Sequence, residues 1–265
     1  MALTNPAFST NPAFQNNGQA GAATTVSAEN LEQMYQAPSA TSADTDRMTI
    51  EDTINKSAIS FALLVAGAVV GWMVPALYLP AAIVGFVLAL VNIFKKKPSP
   101  ALILSYAGVQ GIFVGGISAL FESIYPGIVI RAVIGTLAVV GVTLALFVSG
   151  KIRASAKATK VFMIALGGYI VYSLVNVVLV WTGVTNSAFG LSSDVKLFGI
   201  PLGVLIGVVV VIMGAYSLVL DFDFIQRGVK NRAPRIVGWS GAFGIMVTVI
   251  WLYLEILRLL AISRN

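Results

Sequence analysis

Seven apolar segments, near residues 57–75, 77–94, 101–121, 126–149, 160–182, 197–222 and 236–262, fill the chain from its first quarter to its end. Each is long enough to cross a hydrocarbon core of about 30 Å, which takes about 20 helical residues. Hydrophobic residues make up 57% of the chain and charged residues 11%, with a mean hydropathy of +0.89. That exceeds what a soluble domain needs to fill a core. The expected fold is an all-α integral membrane bundle of seven transmembrane helices over residues 49–265, with the lipid bilayer as its solvent.

The connecting loops alternate in basic content. Arg47 and Lys56 precede the first span, Lys95, Lys96 and Lys97 follow the second, Lys151, Arg153, Lys157 and Lys160 follow the fourth, and Arg227, Lys230, Arg232 and Arg235 follow the sixth. The other loops carry almost nothing basic beyond Lys196. Positive-inside counting therefore places the N-terminus in the cytoplasm and the C-terminus outside. The net charge of +6 has the same origin, and no nucleic-acid partner is expected from it.

Residues 1–48 are rich in Ala, Ser, Thr, Asn, Gln and Pro and read as a disordered polar tail. The tail contains Asn-Pro-Ala-Phe twice, at 5–8 and 11–14, a repeat that either docks a partner or is low-complexity drift. Without a basic stretch followed by an apolar one it is not expected to be a signal peptide, so the first span serves as the insertion signal. Thr49 followed three residues later by Asp52 predicts a capped helix start, with an amphipathic lead-in helix before the first span.

The chain has neither cysteine nor histidine, which removes thiolate nucleophiles, Cys/His zinc sites and histidine-based catalysis together. No Ser/Lys or Asp/Asp pair sits at mid-membrane in a recognisable motif, so no enzymatic function and no bound cofactor is expected. Chemistry rests on the few charges the spans retain. After residue 56 the acidic residues are Glu122, Asp194, Asp221, Asp223 and Glu255. Asp194 falls in an outer loop. An ionisable group within a span costs about 2.5–3.5 kcal/mol on insertion scales, so each of the others needs a partner, water or a function.

Asp221 and Asp223 are two residues apart and point to opposite sides of a helix, about 200° apart. At 100° per residue Gly199, Gly203, Gly207, Gly214 and Ser217 all lie within about 40° of Asp221, on the small-residue surface along which membrane helices pack closely. Asp221 is thus expected to face the bundle, either as a functional gate that binds a proton or a cation, or as an interfacial carboxylate that ends the span. The glycines serve packing within the bundle before dimerisation. Asp223 faces Arg227 one turn on, the spacing of a surface ion pair. On the seventh span Gly241, Gly244, Thr248, Trp251 and Glu255 form a second inward stripe, with Arg258 one turn beyond Glu255. Glu122, Arg131, Glu255 and Arg258 are expected to form an outer charge cluster, which is either a stapling network or an ion-access site.

Several stretches together resemble the Bax inhibitor-1/YccA (transmembrane Bax inhibitor motif) family over residues 48–262, in particular a bacterial branch with a long polar tail. They are "GGISALFESIYPGIVIRAVIGTLAVV" from Gly115 to Val140, "VLDFDFIQ" with Asp221 as its first Asp, and "LYLEIL" in the seventh span. The resemblance implies a bundle whose seventh helix is surrounded by the other six, and a pH-sensitive calcium leak across a bacterial plasma membrane. It also implies two inner carboxylates, on the sixth and seventh spans, that share a proton as a latch; here these would be Asp221 and Glu255. Calcium, as the permeant ion, would meet Asp221.

The chain departs from the family pattern in two places. Gln110 stands where many relatives carry a glutamate. Glu255 lies 20 residues past Arg235, about 30 Å along a continuous helix. Either the seventh helix begins late, or Glu255 is not the latch partner; alignment from the C-terminal "ILRLL" puts the partner near Thr248. Two other functions stay open. One is a non-conducting regulator that binds other membrane proteins, and the other is a secondary transporter, for which no internal repeat is found.

Overall fold

The computed structural model describes residues 46–264 apart from 186 and 188. The expected disordered tail and both Asn-Pro-Ala-Phe copies therefore lie outside the described residues, except for residues 46–48. Seven long helices follow: α1 (Ile50–Met73), α2 (Tyr78–Phe94), α3 (Pro100–Ile124), α4 (Ile128–Val148), α5 (Ala156–Trp181), α6 (Leu202–Lys230) and α7 (Gly238–Ile262). All seven are long and apolar enough to cross a membrane. With no water in hydrocarbon to take backbone hydrogen bonds, helices satisfy every amide internally.

Local chemistry sets the helix ends. The Thr49 hydroxyl accepts the Asp52 amide at 3.1 Å, so the cap read from the sequence opens α1. The expected lead-in helix and first span are one continuous helix from Ile50. Pro100 occupies the first turn of α3, where a missing N–H costs nothing, and the Ser155 hydroxyl caps α5 through the Ala158 amide. Helix α6 begins at Leu202 rather than near 197. Residues 196–201 instead form a two-stranded hairpin, β1 (Lys196–Leu197) against β2 (Ile200–Pro201). Its turn residues Phe198 and Gly199 have φ of 54° and 81°, a backbone that a right-handed helix cannot contain. Gly199 thus leaves the expected glycine stripe, which starts at Gly203.

Helix α7 is the core of the bundle. In its most apolar stretch 56% of residues are buried, against 0% in α5. Its residues Met246 and Ile250 pack with Leu64, Ile103 and Tyr106 of α1 and α3. One turn and more further along, Tyr253, Ile256 and Leu257 pack with Ile128 and Ala132 of α4. Helix α6 flanks it on another side, and α2 packs chiefly on α3. The seventh helix is central, as expected, with α5 at the periphery.

Helix α5 joins the bundle through polar side chains near its start and along its second half. Thr159 meets the Tyr216 hydroxyl at 2.9 Å, Tyr172 meets Ser192 at 2.8 Å, and Asn176 brackets the loop by accepting from the Leu191 amide and donating to the Phe189 carbonyl. In a bilayer, where apolar burial drives no association between helices, hydroxyl and amide bonds of this kind hold a span in place.

Candidate functional site

The seam between α6 and α7 carries the groups of interest. These helices run antiparallel in one register that their small residues allow. A Cβ added at Gly207 would fall 2.8 Å from Leu259 Cδ1, and one at Gly214 would fall 2.4 Å from Leu252 Cδ2. The glycines of α6 thus accept the bulky side chains of α7, with Gly241 of α7 doing the reverse for Ile225. Two turns past Gly214, the same register sets Asp221 against Gly244, where a Cβ would lie 2.7 Å from Asp221 Oδ1.

Asp221 therefore points into the helix pair, as the glycine stripe predicted. Its partner is Thr248, whose hydroxyl donates to Oδ2 at 2.7 Å. A threonine has one hydroxyl proton, so the Ser217 hydroxyl, 3.2 Å from Thr248 Oγ1, must be the donor in that contact. The result is a chain from Ser217 through Thr248 to the carboxylate. No cation pairs with Asp221 among the described residues, whereas Asp52, Asp223 and Glu255 are ion-paired and Glu122 caps a helix start.

Glu255 is elsewhere. Helix α7 starts at Gly238, not after the later glycines, and Glu255 sits seven residues beyond Thr248, about 10 Å along the axis. It is buried, its Oε1 accepts from Arg258 at 2.5 Å, and its Oε2 accepts from the Tyr169 hydroxyl of α5 at 2.7 Å. The Arg258 guanidinium lies 5.8 Å from the centre of the Tyr169 ring. The structure therefore does not join Asp221 and Glu255 as a carboxylate dyad; the hydroxyl of Thr248 takes the partner position.

Of the expected outer cluster, Glu255 and Arg258 stay together as a pair, while Glu122 and Arg131 stand apart from them. Glu122 accepts the amides of Gly127 and Val129, at 2.6 and 3.0 Å, and so caps the start of α4 behind a left-handed Gly127. Arg131 is exposed on α4 and joins neither carboxylate. Asp223 pairs with Arg227 at 2.5 Å on the face opposite Asp221, the surface pair expected from spacing. Gln110 lies against α2, its Oε1 at 2.4 Å from where a Gly85 Cβ would stand, and takes no part in the Asp221 site.

A further charge cluster was not anticipated from the sequence. Asp52 and Lys56 are both buried and paired, Arg235 Nε donates to Asp52 Oδ1 at 2.9 Å, and Lys56 Nζ donates to the Arg235 carbonyl at 2.7 Å. Beside it residues 46–48 run along 233–235, with Met48 N donating to the Ala233 carbonyl and Arg235 N to the Asp46 carbonyl. The start of α1 is thereby tied to the turn between α6 and α7, below the Asp221 seam.

The profile of a family described as Bax inhibitor 1 like matches residues 5–265. The chain belongs to that family. A search of curated proteins finds no match. Membership of the Bax inhibitor 1 like family accords with the seven-span all-α bundle and with a multi-pass membrane location. Within this Bax inhibitor 1 like chain the polar α6–α7 seam combines a carboxylate with two hydroxyls. Among the described residues no three acidic side chains gather to hold a metal. Calcium takes six to eight oxygens in a tight site, more than the one carboxylate and two hydroxyls of this seam supply.

Proposed function

We propose that the protein is a cation leak of the plasma membrane, conducting calcium under control of protons at Asp221, with the basic loops in a bacterial cytoplasm. The observation that carries the reading is the Asp221 carboxylate turned into the α6–α7 seam with only a neutral hydroxyl as its partner. A charge held at that depth without a counter-ion is retained at a cost of a few kcal/mol, and a proton or a cation is what can offset it. A proton taken up on Oδ2 would turn that oxygen from acceptor to donor and make the Ser217–Thr248–Asp221 chain reverse or part. Because that chain links α6 to α7, the central helix would shift with it.

Purified protein in calcium-free liposomes should take up calcium at a rate that changes between neutral and mildly acidic pH. Asp221→Asn, close in shape but unable to titrate, should conduct at a rate independent of pH. A pH dependence unchanged in that variant would remove Asp221 from the mechanism, and no uptake by the native protein would remove the channel. Glu255 is assigned a structural role in this reading, as the group that seats Arg258 and Tyr169.

A second reading is a regulator that engages another membrane protein through residues 1–48. It is favoured by the pairing of residues 46–48 with the α6–α7 turn, which would deliver a pull on the tail to the Asp221 seam. Capture of a stoichiometric partner from native membranes, lost on deletion of residues 1–45, would support it. Capture that survives the deletion would not.

A further inference from the structure

Helices α4 and α6 part along the half of the bundle nearer the basic loops. The gap is a groove of about 520 Å³ open to the side, lined by Ala138, Val142 and Leu146 of α4 and by Ile212, Ala215 and Val219 of α6. Ala138 and Ala215 hollow it, and the eight helical steps from Ala138 to Leu146 give it about 12 Å of length. That is most of one hydrocarbon leaflet of about 15 Å. The shape and apolar walls suit a single extended hydrocarbon chain.

The groove ends in charge. Its last lining residue on the basic side is Ile152, and the next residue is Arg153. The Arg153 guanidinium lies 4.6 Å from the centre of the Phe147 ring and donates through NH1 to Gln226 Oε1 at 2.8 Å. It is therefore held over the mouth by α4 and α6 together. A guanidinium has five N–H donors, and this bond to Gln226 uses one of them. Lys151, Lys157 and Lys160, all exposed, lie within seven residues of it in the chain, and Tyr216, which lines the groove, holds the start of α5 through Ser155 and Thr159. The acid on this face of α6, Asp223, is already paired with Arg227.

We propose that this groove binds one acyl chain of a phospholipid with an anionic headgroup, whose phosphate is received by Arg153. An arginine fork matches phosphate oxygens in pairs, and the phosphate of a lipid whose tail fills the groove falls just past its last lining residue, Ile152, where Arg153 stands. The proposal is independent of ion conduction.

The test uses full-length protein in phosphatidylcholine vesicles containing a small fraction of phosphatidylglycerol with a diazirine in its acyl chain. After irradiation, peptides are mapped by mass spectrometry. Label is expected within 138–146 and 211–219, about five-fold above that from phosphatidylcholine bearing the same photoreactive chain, the preference one basic contact supplies near a membrane surface. Arg153→Gln, an exposed change that leaves the fold intact, should abolish the headgroup preference and keep the tail label. Ala215→Trp should close the groove and remove both. Equal labelling by the two lipids, a preference that survives Arg153→Gln, or label concentrated outside the groove would each overturn the proposal.

Discussion

Gly115→Ala is expected to be among the most damaging single-methyl changes the chain can suffer, lowering stability by more than about 3 kcal/mol and depleting monodisperse protein. Helices α1 and α3 run parallel and in backbone contact. A Cβ at Gly115 would stand 1.9 Å from the Ala68 carbonyl oxygen, and one at Gly71 would stand 2.1 Å from that of Ile112. Gly67 and Gly111 meet the Gly108 and Leu64 carbonyls in the same way, at 2.3 and 2.2 Å. The obstacle in each case is main chain, which has no rotamer by which to yield. The two helices can only separate, losing the close packing that stands in for hydrophobic association inside a membrane. Gly141→Ala on α4 is the control, because a Cβ there meets nothing within 4 Å. It should be neutral or stabilising by up to about 1 kcal/mol, the helix propensity of alanine over glycine. Melting of both variants in nanodiscs checks the contrast, and equal melting temperatures would mean that α1 and α3 are not in backbone contact.

That ridge was readable in principle. Gly67 and Gly71, like Gly111 and Gly115, are spaced by four, the same signal that placed Asp221 on the inner face of α6. The α6 pattern stood out because it carried a carboxylate, and its reading held for orientation: Asp221 meets Gly244 and Thr248 of α7. Spans, the central seventh helix and the Asp223–Arg227 pair were also legible, since each follows from hydropathy, family likeness or spacing of four residues. The partners of buried charge were not. Whether Glu255 meets Asp221 or Tyr169 depends on the offset between α5, α6 and α7, which no periodicity within one helix records. Lys56 and Arg235 were read as marks of orientation alone, because a loop cation and a buried cation look alike until their neighbour at Asp52 is known. Tyr169, Tyr172 and Asn176 do leave a trace: polar groups at spacings of three and four on an otherwise apolar span mark the face that α5 turns inward.

The Asp52 cluster gives the second large effect. Asp52 and Lys56 have side chains 7% and 8% exposed, and Arg235, 42% exposed, reaches in from the α6–α7 turn. Removing one partner of a buried pair costs about 3–5 kcal/mol, because the survivor stays buried without compensation. Asp52→Ala should lose that much: Lys56, closed in beneath Trp239 with its ammonium 5.7 Å from the ring, would keep only the Arg235 carbonyl as an acceptor. Arg235→Ala should cost less, about 1 kcal/mol, since the carbonyl that receives Lys56 belongs to the backbone and survives the change. Replacing both charges at once, with Asp52→Leu and Lys56→Met, should recover most of the loss, as apolar substitutes for buried ion pairs commonly do. Unfolding measured on the three variants separates the terms. A double variant as unstable as Asp52→Ala would mean that this cluster acts through its charges on the α6–α7 turn, and not merely by their mutual neutralisation. In that case the anchored turn would also set the register that brings Thr248 to Asp221, and under the proposed function calcium uptake by the double variant should lose its pH dependence along with its stability.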